Sequence, residues 1–214
     1  MRIVFVSDIH GLHDRIEIPE GEILIHAGDM TSMGKMNEVA AVGVWLRKMK
    51  ERFRAVVCVA GNHDWLFEKN RTLALSLLNG IGGGLSYLQD DGAEVEGLRV
   101  YGSPQTPWFL NWAFNVQRGK LKPYWDKIPE GLDILVTHGP PMGILDQSAP
   151  HLGSEHIGDQ ELLDAVERTK PKIHVFGHIH GSAGKIRYEN TTFINASICN
   201  ESYSPVNPPQ VVDI

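Results

Sequence analysis

Five short apolar runs, each followed at once by polar groups, constrain the fold of this chain more than any other feature. The runs are RIVFVSDIH, EILIHAGD, AVVCVAGNHD, DILVTHGPP and KIHVFGHIH. Continuous apolar runs rich in β-branched residues, rather than alternating ones, are typical of strands that are covered on both faces. The pattern therefore predicts buried strands that carry polar side chains where each strand ends.

Helical patterns lie between these runs. The apolar residues of one helix face recur at spacings of three and four: Val39, Val42, Leu46, Met49 and Phe53. A second helix is predicted over residues 65–78, ended by the glycines of residues 80–84. A third is predicted over residues 159–168, with Asp159 as its N-terminal cap and Pro171 beyond its end. Strands alternating with helices predict an α/β fold.

Other segments indicate that the sheets are mixed. Residues 185–195 and the stretch around 98–101 have the pattern of antiparallel strands joined by turns. We therefore expect a mixed sheet, or two sheets packed face to face. Residues 104–125 are rich in tryptophan, which favours an ordered, buried excursion over a linker. The length of 214 residues is enough for one substantial core, so one domain over residues 1–214 is expected.

Composition excludes several classes of function. The net charge is -6 at pH 7, which argues against a nucleic-acid polymer as partner. The two cysteines, Cys58 and Cys199, stand apart in apolar surroundings, so we expect core residues rather than a disulfide or a thiolate metal site. We find neither a secretory signal nor an apolar segment approaching the ~20 residues of a membrane span. A cytoplasmic protein without membrane contact is expected.

The polar groups after the apolar runs are metal-ligand types. They are Asp8, His10, Asp29, Asn62, His63, His138, His178 and His180. Loops that leave the carboxyl ends of strands in an α/β sheet gather at one edge, so these side chains should meet there. Imidazole mixed with carboxylate suits first-row metals such as manganese, iron, zinc, nickel or cobalt better than magnesium or calcium. The sequence thus predicts a transition-metal site.

The order DIH, GD, GNHD, THGPP and GHIH resembles the calcineurin-like metallophosphoesterase superfamily. The stretches THGPPMGILD and SPQTPWFLNWAFN are similar to the brain-type metallophosphoesterase-domain subfamily and its microbial relatives. The resemblance implies a four-layer α/β/β/α sandwich, in which helices flank two mixed sheets. It also implies a dinuclear centre of two divalent transition metals, with manganese favoured, and a metal-bridging hydroxide as nucleophile.

The resemblance also implies a role for each residue of the motifs. The ligands implied for one ion are Asp8, His10, Asp29 and His180. Those implied for the other are Asp29, Asn62, His138 and His178, so that Asp29 bridges the pair. His63 would lie beside the substrate and protonate the leaving alkoxide, with Asp64 as the partner that fixes its tautomer. Asn62, His63 and His13 are the predicted substrate contacts.

The remaining histidines and tryptophans are predicted to be structural or solvated. His174 and His26 lie within apolar strands, although His26 could also donate to Asp29. His13, His151 and His156 lie in predicted loops, and Asp146 could either support the site or stabilise the fold. Trp108, Trp112 and Trp125 are interpreted as core or as a homodimer contact, with base stacking as the alternative. Gly177 and Gly181 are expected to permit tight turns around the metals.

The segment GDMTSMG distinguishes this chain from two other groups of the superfamily. Ser32 and Met33 stand where phosphoprotein phosphatases have the arginine segment, and Ser32 also occupies the position of the iron-binding tyrosine of purple acid phosphatases. Without an arginine clamp, a singly charged diester is favoured over a doubly charged monoester. We therefore expect a phosphodiesterase for small cyclic or other nucleotide diesters. The alternatives are a broad-specificity phosphomonoesterase and a non-catalytic scaffold.

Overall fold

The computed structural model describes residues 1–81, 83–148, 153 and 155–214. Its strands are β1 (Arg2–Val6), β2 (Ile23–Ala27), β3 (Ala55–Val59), β4 (Ser86–Tyr87), β5 (Asp91–Val95), β6 (Leu98–Ser103), β7 (Thr106–Pro107), β8 (Asn115–Val116), β9 (Ile134–Thr137), β10 (Ile173–Phe176), β11 (Gly184–Tyr188), β12 (Thr191–Asn195) and β13 (Gln210–Asp213). Its α-helices are α1 (Met36–Arg52), α2 (Trp65–Lys69), α3 (Arg71–Asn79), α4 (Lys122–Trp125) and α5 (Gln160–Thr169). None of the helices within these described ranges is both long enough and apolar enough to cross a membrane.

Both large sheets are mixed, as the sequence predicts. The first has the order β13-β1-β2-β3-β4, in which only β13 is antiparallel to its neighbour. The second has the order β11-β12-β10-β9-β6-β5, with four parallel central strands and an antiparallel strand at each edge. The five predicted apolar runs form β1, β2, β3, β9 and β10.

Successive side chains of each buried strand point to opposite faces of its sheet, and the two faces pack on different elements, so the fold has four layers. Phe5 and Val57 of the first sheet share an apolar cluster with Val136 and Val175 of the second, so the two sheets pack face to face. The opposite face of the first sheet packs on α1 and α3, and that of the second packs on α4 and α5. This arrangement confirms the predicted α/β/β/α sandwich.

The predicted helices are present, with one difference. Helix α1 buries the apolar face that the spacing predicts, and Asp159 caps α5 by accepting from the backbone N–H groups of Glu161 and Leu162. The single helix predicted over residues 65–78 is two helices, because Asn70 leaves the helical conformation. Its side chain then caps α3 by accepting from Leu73 N, 3.1 Å away. A local cap thus interrupts an otherwise continuous helical periodicity.

The tryptophan-rich excursion is only partly buried. Trp125 is buried in the core beneath α5, as expected. Trp108 is 59% exposed, and Phe109 and Leu110 are exposed with it, so Trp108 is not a core residue, while the predicted homodimer contact and the stacking alternative stay open. These residues form the connection between β7 and β8 and belong to none of the apolar clusters of the described core. Trp112 is half-buried.

Candidate metal centre

The loops after five buried strands bring the predicted polar groups together between the two sheets. Direct contacts join the loops across the sheets: His138 Nδ1 lies 2.9 Å from the carbonyl oxygen of Ala27, and the backbone N–H of His178 donates to the Asp8 carboxylate over 3.0 Å. Residues far apart in sequence therefore share one site, in keeping with the rule that α/β sheets form sites outside the carboxyl ends of their strands.

One group of donor atoms is formed by Asp8, His10 and His180, whose side-chain atoms all lie within 4.8 Å of one another. The Nε2 atoms of the two histidines are 3.2 Å apart, and His180 Nε2 is 3.4 Å from Asp8 Oδ1. Asp8 and His10 are buried, and His180 is half-buried. Two imidazoles and a carboxylate that converge in this way have the chemistry of a transition-metal site.

A second group of donor atoms is formed by Asp29, His138 and His178, again within 4.8 Å of one another. His138 Nε2 lies 3.4 Å from Asp29 Oδ1 and 2.9 Å from Asn62 Oδ1, so the Asn62 amide adjoins this group. Asp29 Oδ2 is 3.9 Å from His10 Nε2 and therefore also faces the first group. A third group of donor atoms, from His10, Asp29 and His63, also lies within 4.8 Å of one another and overlaps the other two. The Asp29 carboxylate is thus shared between groups, as a bridging ligand would be.

Backbone carbonyl groups fix the orientation of three histidines. The Nδ1 atoms of His138, His180 and His63 lie 2.9, 3.0 and 2.7 Å from the carbonyl oxygens of Ala27, Asn200 and Ser32, respectively. A carbonyl oxygen only accepts, so each Nδ1 carries the hydrogen and each Nε2 faces the cluster. The same arrangement orients metal-ligating histidines in proteins generally.

The electrostatics of the cluster also fit a cation. Burial alone would raise the pKa of Asp29, but the charge and hydrogen bond of His138 outweigh burial and hold that pKa well below its usual range. Burial likewise opposes protonation of His138, yet Asp29 raises the pKa of His138 to about 9. Burial lowers the pKa of His10 to about 4 and that of His178 to about 3. A divalent ion would replace the proton that otherwise neutralises the buried carboxylates.

The backbone is strained where the candidate ligands stand. Asp8, His10, Asp29 and His178 have φ angles of 52°, 44°, 54° and 68°, in the left-handed region that residues other than glycine rarely adopt. Four such residues in one site indicate that the surrounding packing holds their side chains toward the cluster at a cost in backbone energy.

Gly177 is required for space, and neither Gly177 nor Gly181 is needed for a left-handed turn, which corrects the expectation from sequence. Neither has a positive φ. A Cβ atom on Gly177 would lie 2.0 Å from Asp8 Oδ2, and one on Gly181 would lie 2.5 Å from an oxygen of Glu201. Glycine at position 177 thus lets the backbone of the GHIH segment approach the Asp8 carboxylate.

Asp64 does not contact the imidazole of His63, which corrects the role expected for it. Its carboxylate accepts from the N–H groups of Gly61, Met30 and Thr31 over 2.8, 3.1 and 2.9 Å, and from the Thr31 hydroxyl over 2.6 Å. Burial, with the nearby charge of Asp29, raises the pKa of Asp64 to about 6. Asp64 therefore organises the turns on either side of the cluster, and the carbonyl oxygen of Ser32 orients His63 instead.

The other histidines are placed outside the donor groups. His26 is buried, its Nδ1 accepts from Gly28 N, and its Nε2 has no hydrogen-bond partner among the described residues, so it does not donate to Asp29. His174 is buried against Thr137, with its Nε2 2.8 Å from the hydroxyl. His13 packs on the ring of Trp45, with their centres 5.8 Å apart. His151 lies outside the described residues.

Asp146 stabilises the loop that follows β9. Its carboxylate accepts from the N–H groups of Gly143 and Gly158, and it lies 2.6 Å from His156 Nδ1. These contacts join Gly143 to His156 and Gly158 through Asp146. Of the two roles left open for Asp146, they therefore support stabilisation of the fold. Cys58 and Cys199 are both buried, as expected of core residues.

Two aromatic side chains that were not among the predicted site residues adjoin the cluster. Trp112 stacks on His63, with ring centres 4.0 Å apart and planes inclined by 24°. The ring centre of Tyr203 lies 4.7 Å from that of His10 and 5.4 Å from that of His180. Only the density of tryptophan around residue 112 could have signalled the first. Nothing in the sequence near Tyr203 signals the second.

Comparisons with known proteins agree with this geometry. A model of the calcineurin-like phosphoesterase family matches residues 1–182. Metallophosphoesterase domain-containing protein 1 of Homo sapiens is 41% identical over 238 aligned positions, which cover 100% of this chain and 71% of the human protein.

Solved structures share the fold at low sequence identity. The crystal structure of TT1561 of Thermus thermophilus has a TM-score of 0.60 at 13% identity, covering 91% of this chain and 88% of that one. An archaeal phosphodiesterase has a TM-score of 0.53 at 17% identity, covering 100% and 93%. Together with the family match over the donor groups, these findings show that the chain belongs to the calcineurin-like phosphoesterase family.

Proposed function

We propose that this protein is a metal-dependent phosphodiesterase for small-molecule diesters, with cyclic or other nucleotide diesters as the substrate class. The observation that carries the proposal is the set of converging donor groups, in which Asp29 faces both. Its membership of a phosphoesterase family supplies the reaction class, which is hydrolysis of a phosphoric ester.

The proposed ligands follow the first two donor groups, and His63 of the third group is proposed as a non-ligand, as the family resemblance implies. Asp8, His10, Asp29 and His180 would hold one ion. Asp29, Asn62, His138 and His178 would hold the other. Manganese is our favoured metal, and iron, zinc, nickel or cobalt suit the same ligands. When bound, a pair of divalent ions activates water as the nucleophile and offsets the charge of the phosphoester.

His63 is the proposed general acid. Its Nε2 lies 4.0 Å from Asp29 Oδ2, beside the cluster, while its Nδ1–H donates to the Ser32 carbonyl. A proton held at Nε2 is therefore directed toward a substrate on the cluster and can pass to the leaving alkoxide. Asn62 adjoins the same space and would contact the phosphoryl group. His13 is also a proposed substrate contact, although its ring packs on Trp45 and not on the cluster.

The charges around the cluster favour a diester. Among the described residues, the ion pairs of Asp8 and Asp29 are all with histidines, and none is with an arginine or lysine. A phosphomonoester carries two negative charges at neutral pH, and bidentate recognition of that group usually needs arginine. A diester carries one charge, so it needs no such clamp.

The test compares hydrolysis of bis(p-nitrophenyl) phosphate with that of p-nitrophenyl phosphate, using protein stripped with a chelator and reloaded with manganese. We expect faster turnover of the diester, abolished by the chelator. Faster turnover of the monoester would instead favour the broad-specificity phosphomonoesterase. A protein that purifies without metal, remains equally stable in chelator and hydrolyses neither ester would be a scaffold.

A further inference from the structure

Tyr203 lies over the first donor group but outside the part of the chain that the family model matches, which ends at residue 182. Its ring meets His10 and His180 edge-on, at 4.7 and 5.4 Å between ring centres, and lies 6.1 Å from His63. Tyr203 is also 50% exposed. One side chain therefore touches three histidines of the site while part of it remains open to solvent.

The turn that carries Tyr203 is fixed to the site through Asn200. The carbonyl oxygen of Asn200 accepts from His180 Nδ1 over 3.0 Å and from the backbone N–H of Tyr203 over 2.8 Å. The Asn200 side chain accepts from the N–H groups of Ser202 and Ser204, each over 3.0 Å. The group that orients a candidate ligand thus also positions the tyrosine, and the ring does not depend on a freely moving loop.

The site requires a donor for the anionic oxygen of a substrate, and the Tyr203 hydroxyl can be that donor. Among the described residues, the ion pairs of Asp8 and Asp29 are all with histidines, so no arginine or lysine is placed there to hold the anionic oxygen of a substrate. A phenol hydroxyl is a neutral donor, and a hydrogen bond from it to an anionic oxygen is stronger than one between neutral groups. Such a donor suits a singly charged ester, whereas a guanidinium would favour a dianion.

We propose that Tyr203 is a substrate-contacting residue whose hydroxyl donates a hydrogen bond to the anionic phosphoryl oxygen. Its ring forms the wall of the site above His10 and His180. The proposal rests on the proposed phosphoesterase function and adds a residue that the sequence motifs do not include.

The test uses Tyr203→Phe, which removes the hydroxyl and keeps the ring, beside Tyr188→Phe as a matched control. Tyr188 is also exposed but lies on β11, and no contact with the cluster is found for it among the described residues. We expect Tyr203→Phe to lower kcat/KM for bis(p-nitrophenyl) phosphate about tenfold or more, through loss of one charge-assisted hydrogen bond. The control should match the wild-type protein.

A second readout does not depend on turnover. Titration calorimetry of the manganese-loaded proteins with inorganic phosphate should show weaker binding to Tyr203→Phe by a similar factor, with unchanged metal content and unfolding midpoint. The proposal would be overturned if Tyr203→Phe had wild-type kinetics and phosphate affinity. A further variant, Tyr203→Leu, removes the ring as well. If only Tyr203→Leu lowered kcat/KM and phosphate affinity, the ring and not the hydroxyl would matter. If the wild-type protein hydrolyses neither ester, the proposed function fails, while the phosphate titration still decides the role of Tyr203.

Discussion

His63 is held from two directions by groups that do not themselves belong to the donor set. The Ser32 carbonyl accepts from its Nδ1, and the indole of Trp112 covers one face of its ring. A general acid must be held within hydrogen-bonding reach of the leaving group, so if His63 is that acid, as proposed, we expect Trp112 to be a positioning residue. Trp112 would then affect catalysis only through His63.

A pair of substitutions tests this dependence. His63→Ala should lower kcat by about 10²- to 10⁴-fold for diesters with poor leaving groups, and much less for good ones, because only a poor leaving group needs the proton. Trp112→Leu should give a smaller loss, about tenfold, with the same dependence on the leaving group. The double variant should be no slower than His63→Ala. The measurement is kcat for a series of aryl phosphodiesters with manganese-loaded protein.

The matched control is Trp108→Leu, since Trp108 lies four residues away in the same segment and is largely exposed. It should leave kcat unchanged. Loss of bound manganese from His63→Ala would contradict the assignment of His63 as a non-ligand. Additive losses in the double variant would show that Trp112 acts independently of His63.

The site residues that the sequence predicts lie at strand ends, whereas those that it missed lie on long connections. Asp8 and His178 directly follow buried strands, so local pattern is enough to send them to one sheet edge. Trp112 and Tyr203 reach the cluster from long connections, and their contacts with His63 and His10 depend on how those connections fold back. Sequence spacing carries no information about such contacts.

At the scale of elements, Asp64 joins the turn after β2 to the turn after β3. Its carboxylate binds backbone N–H groups of Met30 and Thr31 in one turn and of Gly61 in the other. The first turn presents Asp29 and the second presents Asn62. The spacing between these two candidate ligands therefore depends on one buried carboxylate.

Asp64→Asn should weaken both the fold and the site. The amide places an NH₂ group opposite backbone N–H donors, which leaves buried donors unpaired at a cost of about 1–3 kcal/mol. Urea unfolding in the presence of chelator should show that loss, and equilibrium dialysis should show weaker manganese binding. Asp14→Asn, at an exposed carboxylate, is the control and should change neither. Wild-type stability and metal affinity in Asp64→Asn would contradict this role.

The elements themselves were predictable where burial decides them. The faces of α1 and α5 follow directly from apolar spacing, because those faces cover the sheets. The break between α2 and α3 was not predictable from spacing, since the Asn70 cap competes with a helical pattern that runs through it. Local hydrogen bonding of an asparagine side chain outweighs periodicity there.

At the scale of the whole molecule, the layers were predictable and the order of the strands was not. Apolar runs covered on both faces predict sheets layered with helices, but they left one sheet or two open, and the four-layer sandwich followed only from the family resemblance. The placement of β13 beside β1 depends on a partnership between segments about as far apart in sequence as this chain allows. No local pattern in either segment indicates that pairing.

Buried neutral histidine should make the stability of the whole molecule sensitive to acid. Burial lowers the pKa of His174 to about 3, whereas the unfolded chain binds that proton near pH 6.5. The unfolded state therefore binds more protons between these limits, and the free energy of unfolding should fall by about 1.4 kcal/mol per pH unit from this residue as pH drops below 6.5. Above that range the contribution is constant.

His174→Phe removes this proton uptake and should lower the slope by that amount, as measured by urea unfolding of metal-free protein between pH 6 and pH 4. Phe176 and Phe193 already flank the site, so an aromatic ring can take the place of the imidazole. Above pH 7 the slopes of the two proteins should coincide. Equal slopes at acidic pH would show that His174 is protonated in the folded protein.

The left-handed backbone at Asp8, His10, Asp29 and His178 also has an evolutionary consequence. Glycine would relieve the strain at each position, so selection for stability alone would drive these side chains out of the lineage. If they hold metal ions, as proposed, they should persist only while those ions confer an advantage. Descendants that no longer hydrolyse phosphoesters should therefore acquire glycine or asparagine at these four positions first. Such substitutions would indicate lost activity in a protein whose fold has become more stable.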